Sequence, residues 1–190
     1  MSAEEQGVFH VRSVAVIGAG PAGRAFAFRC ASAGLQVVLE DVMPSNLRRA
    51  QDEYAEFIAT AGATGSLRYA GTVEDAVHDA DLVIDFVPDE LESKLEIFSL
   101  LDRMAPPRTI FCTPTKTLSI TDLASCTYRG DRCVGVQAES GISFVDDDSI
   151  RLIRGKLSSD ETIETAAAVW LRMGKRIEVV TEAAVPGFGG

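Results

Sequence analysis

The stretch Val14–Asp41, VAVIGAGPAGRAFAFRCASAGLQVVLED, decides the fold. The apolar run that opens it, Val11 to Ile17, ends in glycines and predicts a buried parallel strand. Pro21 to Ala33 is small and apolar on most faces, which predicts a helix lying close to a sheet. Gly34 stops that helix. Gln36 to Leu39 predicts a second strand, closed by Glu40 and Asp41. Strand, helix and strand in immediate succession are the unit of an α/β sheet.

Between the first strand and its helix stands Gly18-Ala19-Gly20-Pro21-Ala22-Gly23, the pattern G-x-G-x-x-G. The first glycine permits a tight turn, the second lets the backbone approach a pyrophosphate, and the third allows close helix–sheet packing. Free N–H groups and the helix dipole then face the anion. These six residues are the expected dinucleotide loop. Asp41 lies 23 residues beyond Gly18. A carboxylate there can accept hydrogen bonds from both adenosine ribose hydroxyls and repels a 2′-phosphate, which favours NAD over NADP. Glu40, one residue earlier, is the competing candidate.

The rest of the chain repeats the alternation. Helices are expected at Pro44 to Ala61, after Thr72, at Asp89 to Met104, and at Asp160 to Met173 behind a Ser158 cap. Strands are expected at Ser66 to Ala70, Asp81 to Val87, Thr109 to Cys112, Cys133 to Val136, Ser149 to Ile153 (antiparallel if it simply returns) and Ile177 to Thr181. The expectation is a Rossmann-type, doubly wound, mainly parallel sheet. It forms one domain over residues 1–190, with 1–10 flexible.

The 190 residues carry 18 basic and 28 acidic side chains, a net charge of −10. That charge argues against a nucleic-acid partner. No apolar stretch has the length of a membrane span, and MSAEEQGVFH lacks the apolar core of a signal peptide. A cytoplasmic protein is expected. Cys30, Cys112, Cys126 and Cys133 have no metal-ligand spacing, and Cys30 and Cys112 read as reduced core thiols.

Three segments in order resemble the NAD-dependent 3-hydroxyacyl-CoA dehydrogenases. They are Val14–Asp41, Asp79–Ala124 (DADLVIDFVPDELESKLEIFSLLDRMAPPRTIFCTPTKTLSITDLA) and Gly155–Phe188. The resemblance implies NAD contacts from Val87, Pro88 and Asp89 in the turn after the fourth strand, and from Thr113. Asp89 replaces the family's glutamate. Lys94 matches a lysine that reaches the nicotinamide-side ribose, against the plainer reading of a solvated helix residue.

The family passes a hydride to NAD while a histidine, oriented by a glutamate, takes the proton. Here Gln137 stands in the histidine's place, and a carboxamide does not hold a proton near pH 7. Arg151 is the loose counterpart of the glutamate. His10 and His78 are expected on the surface, away from the site. The family's Ser-Ser segment reads Pro114-Thr115-Lys116-Thr117-Leu118. Thr117 keeps a hydroxyl. Lys116 is new, and serves as acid or base, or pairs with a phosphate or with Glu139.

Asp41 and Thr72 are 31 residues apart, fewer than the family's CoA-gripping hairpin needs. No basic patch awaits CoA phosphates, and a chain without the family's C-terminal helical domain is expected. The expectation is an NAD(H)-binding protein without the family's hydroxyacyl-CoA oxidation, a sensor or half of an assembly with a partner chain. The alternative is an active oxidoreductase on another small hydroxy or keto substrate, its cleft completed by dimerisation through Val185, Pro186 and Phe188. Lys116, Thr117 and Gln137 are its catalytic candidates. A scaffold that binds nothing is the third reading, and the glycine loop argues against it.

Overall fold

Along β1 (Ser13–Ile17) the side chains alternate between two interiors. Val14 and Val16 enter one apolar cluster, Ala15 and Ile17 the other. A strand covered on both faces has no polar side, so its sequence is an unbroken apolar run. The computed structural model describes residues 10–138, 144 and 146–182.

After β1 come α1 (Pro21–Ser32), β2 (Gln36–Glu40), α2 (Pro44–Ala61), β3 (Ser66–Ala70), α3 (Val73–Val77) and β4 (Leu82–Asp85). The second half holds α4 (Leu91–Met104), β5 (Ile110–Pro114), α5 (Ile120–Ala124), β6 (Cys133–Ala138), β7 (Ser149–Arg154), α6 (Asp160–Arg172) and β8 (Arg176–Thr181). The strands form one sheet in the order β3-β2-β1-β4-β5-β6-β7-β8. Neighbours pair in parallel except β6 with β7, which are antiparallel, as a simple return requires. The fold is Rossmann-like α/β. Its strand order reverses between β1 and β4, and the crevice beyond the strand ends there is where such sheets bind ligands.

Helices α1, α2 and α6 cover one face, through Phe26, Ala50 and Trp170. Helices α3, α4 and α5 cover the other, through Val77, Phe98 and Leu123. Phe26 meets Trp170 at 4.9 Å with tilted rings, which joins α1 to α6, and Phe98 meets Phe111 edge-on at 5.9 Å, which ties α4 to the sheet.

Several boundaries move. The fourth strand spans Leu82–Asp85 rather than Asp81 to Val87. Asp81 instead accepts hydrogen bonds from the Arg12 and Ser13 N–H groups, which pins β4 beside β1. The cap of α6 is Ser159, whose hydroxyl accepts from the Thr162 N–H at 3.2 Å, and not Ser158. Ser158 is buried and donates to the Cys133 carbonyl. The four cysteines are free, and Cys30 and Cys112 are core thiols as expected. Val185, Pro186, Phe188 and Glu139 lie outside the described residues, as does the expected flexible stretch apart from His10. No helix among the described residues is long and apolar enough to cross a membrane.

Candidate functional site

The glycine loop joins β1 to α1, and its glycines have three different physical reasons. Gly18 has φ +98°, the left-handed region that a side chain rarely adopts. At Gly23 a Cβ would sit 1.9 Å from the Gly18 carbonyl oxygen, so only glycine lets the helix start this close to the turn. Gly20 has an ordinary φ of −64°, and a Cβ there meets nothing within 4 Å. The fold itself does not require glycine at position 20. The space in front of that backbone is open, which suits the close approach of a dinucleotide pyrophosphate.

Arg24 and Asp41 fasten the loop from two sides. Arg24 is buried, donates to the Ala19 carbonyl at 2.8 Å and pairs with Glu53 at 2.7 Å. Asp41 accepts from the Ala19 N–H at 2.9 Å, from the Met43 N–H at 2.8 Å and from Asn46 at 3.0 Å. Neither Arg24 nor Asn46 stood out in the sequence. The only signal for Arg24 was its place directly after the third glycine, where an arginine also reads as an ordinary helix residue.

Beside the loop lies a cleft of about 380 Å³, walled by Ile17, Gly18, Val42, Val73, Val87, Pro88 and Ile97. Its polar groups are Glu40, Asp41, Ser93 and Glu96. Three carboxylates and no cation line it, an environment that opposes a 2′-phosphate. Glu40 is 3% exposed, and its Oε1 has no hydrogen-bond partner. Burial, and then the charge of Asp41, push its carboxyl up to about 7.

A second cleft, of about 170 Å³, opens on the other side of Val87. Phe86, Pro114, Val136, Ala138 and Phe144 give it apolar walls, and Asp89, Thr115, Lys116 and Gln137 are its polar residues. Asp89 accepts from the Lys116 N–H at 2.8 Å, which ties the turn after β4 to the segment after β5. Across the sheet, Gln137, Arg151 and Glu178 share one register through β6, β7 and β8. Arg151 donates to Gln137 Oε1 at 3.2 Å and to Glu178 at 3.0 Å. A guanidinium only donates, so the amide oxygen of Gln137 must face Arg151, and its NH₂ group is the end turned away.

The structure thus gathers Gly18, Asp41, Val87 and Pro88 around the first cleft, while Ala19 to Gly23 continue the loop without lining it, and Asp89, Lys116 and Gln137 around the second. Three expected site residues lie away from the walls of both clefts. Lys94 is 1% exposed, with its ammonium 2.6 Å from the equally buried Asp85. It lines neither cleft, and it is not a solvated helix residue either. Burial pushes the Asp85 carboxyl up, and the ammonium opposes that rise. Thr113 is fully buried in β5 and also lines neither cleft. The hydroxyl residue at the second cleft is Thr115, whose oxygen accepts from the Leu118 N–H, and not Thr117. His10 and His78 are exposed, and neither lines these clefts.

Comparison with known proteins agrees with this geometry. The family model for the 3-hydroxyacyl-CoA dehydrogenase NAD-binding domain matches residues 13–183. A probable 3-hydroxybutyryl-CoA dehydrogenase of Bacillus subtilis is 30% identical over 94% of this chain and 64% of its own length. A 5-formyl-3-hydroxy-2-methylpyridine 4-carboxylate 5-dehydrogenase of Mesorhizobium japonicum is 30% identical over 94% of the chain and 60% of its own length. Among solved structures, a diketoreductase superposes with a TM-score of 0.81 at 25% identity, over 93% of this chain and 66% of that one. The (S)-3-hydroxybutyryl-CoA dehydrogenase of Ralstonia eutropha gives 0.80 at 26%, over 91% and 64%. The chain therefore spans a little under two thirds of these curated relatives. With a glycine loop shaped for a pyrophosphate, an acidic cleft beside it and a family match over most of its length, the chain belongs to the 3-hydroxyacyl-CoA dehydrogenase family, as an NAD-binding domain.

Proposed function

We propose that this protein binds NAD(H) in the way of its family but does not by itself carry out the family's hydroxyacyl-CoA oxidation. The observation that carries this reading is the hydrogen bond from Arg151 to Gln137 Oε1. It stands where the resemblance places a histidine and its orienting glutamate. Oxidising a hydroxyl needs a group that accepts its proton. Gln137 has no such capacity, and Arg151 fixes it with the amide oxygen engaged. The exchange is thus of a proton acceptor for a hydrogen-bond donor.

The cofactor's hydride chemistry would take place beside the second cleft. Gly18 to Gly23 would hold the pyrophosphate, and Glu40 and Asp41 the adenosine end. Val87 and Pro88 would pack between the two clefts. Lys116 and Gln137 offer donors to a carbonyl or carboxylate in the second cleft. The Gln137 donor in the place of a base supports a role as NAD(H) sensor, or as one half of an assembly. Free thiols and an acidic surface fit the cytoplasm.

A second reading, an oxidoreductase on another small keto substrate, is favoured by Lys116. It brings an ammonium to the wall of that cleft. Turnover assays with 3-hydroxybutyryl-CoA plus NAD, and acetoacetyl-CoA plus NADH, decide between them. The proposal expects no conversion in either direction. Steady NADH consumption abolished by Lys116→Met supports the second reading.

A further inference from the structure

Glu40 is a buried carboxyl with one oxygen unpartnered, in the wall of the cleft that takes the adenosine end of the cofactor. Asp41, the neighbour that the spacing first singles out, is already in use. Its carboxylate receives the N–H groups of Ala19 and Met43 and the amide of Asn46. A carboxylate has about four acceptor positions. Asp41 therefore keeps little capacity for a ligand, while Glu40 Oε1 has all of its own.

The two residues also divide the sheet between them. Asp41 turns toward the glycine loop and Asn46 of α2. Glu40 lines the cleft on the side of Val73, Ser93, Glu96 and Ile97, beneath α3 and α4. A buried oxygen without a donor is costly when it carries charge, and a ligand that supplies a donor removes that cost.

We infer that Glu40 is a cofactor-binding carboxylate, and that NAD binding makes it release a proton. The free cleft gives Glu40 reason to hold the proton. Asp41 and Glu96 are the charged groups that share its cleft, both carboxylates, and no cation lines it. Burial and Asp41 bring its ionisation up to about 7. Hydroxyl or amino donors of the adenosine end favour the charged form, so its proton leaves on binding. This inference uses the cofactor, which the family establishes, and is independent of whether the second cleft supports catalysis.

The sign follows from the direction of the shift. Below pH 7 most molecules hold Glu40 protonated and must lose that proton to bind. Above it the carboxylate is ready. With ionisation near 7, about one tenth of the protein is competent at pH 6 and about nine tenths at pH 8, so affinity rises about tenfold across that range.

The test is calorimetric titration of the whole protein with NAD, at pH 7 in buffers of different ionisation enthalpy, and again at pH 6 and pH 8. About half a proton released per NAD at pH 7, with the tenfold gain in affinity, supports the inference. No proton exchange, or proton uptake, overturns it. Glu40→Gln keeps the shape and should abolish proton release and the pH dependence. Release that survives in a folded Glu40→Gln also overturns it. The wild-type buffer series needs no variant, so the inference stays testable if Glu40→Gln folds poorly.

Discussion

Two glycines three residues apart, Gly20 and Gly23, separate what the fold needs from what the ligand needs. Gly23→Ala drives a methyl into the Gly18 carbonyl, 1.9 Å away before relaxation. It should cost about 1–3 kcal/mol or more, read as a lower urea midpoint. At Gly20 an added Cβ meets no protein atom within 4 Å, so Gly20→Val should lower that midpoint less than Gly23→Ala does while abolishing NAD binding. If Gly20→Val binds NAD normally, the pyrophosphate is not at this loop. Glu40 makes a stability prediction at the same scale. Its carboxyl is raised from 4.5 to about 7 in the folded protein, so the folded state holds the proton more tightly than the unfolded one. That contribution is fully present below about pH 4.5 and is lost as pH rises toward and through 7. Urea unfolding of wild type and Glu40→Gln, without cofactor, should therefore diverge between pH 5 and pH 8, with the wild type losing more. Parallel curves would contradict the raised value.

At the scale of elements, β4 and α4 are joined by Asp85 and Lys94, both 1% exposed. Lys94→Met strands a buried carboxyl and should cost about 3–5 kcal/mol in urea unfolding. Adding Asp85→Leu should recover most of it, since the loss comes from the uncompensated charge. Strands β6, β7 and β8 carry the other cross-element device, Gln137–Arg151–Glu178. Gln137→His alone should not create hydroxyacyl-CoA oxidation. Arg151 cannot accept from the imidazole, and its charge disfavours the imidazolium. Measurable oxidation of 3-hydroxybutyryl-CoA by that variant would show that the amide alone holds the reaction back. These elements were legible to different depths. The inner strands β1, β4 and β5 were visible because apolar runs buried on both faces leave no polar period to confuse them, whereas β3 and β8 keep exposed residues among half-buried ones. The parallel order followed from strand–helix alternation. The Lys94–Asp85 pair was not legible, because a lysine among acidic residues on an amphipathic helix gives no sign of a buried partner. Only the register places Asp85 beneath it. Thr113, Thr115 and Thr117 look alike in the sequence, and only the place where β5 ends, at Pro114, decides which of them reaches the second cleft. Arg24 was missed because nothing local marks a guanidinium that folds back on a loop.

Across the whole molecule, the switch between β1 and β4 puts the glycine loop, the acidic cleft and the second cleft at one end of the sheet. The net charge of −10 and the three carboxylates of the first cleft act in the same direction against a phosphate on the ribose. The family match accounts for that end of the molecule. The Gln137–Arg151 pair sets this chain apart from the catalytic pattern it resembles. The most direct test of a kept cofactor site and a lost base is one fluorescence titration. The protein is titrated with NADH until the signal saturates, and acetoacetyl-CoA is then added to the same cell. The account predicts saturable NADH binding, weaker for NADPH, and a signal that stays constant after the addition. A signal that decays to that of free NAD would show that the chain transfers hydride and proton without the histidine. It would contradict the assignment of Gln137 as a donor in place of a base.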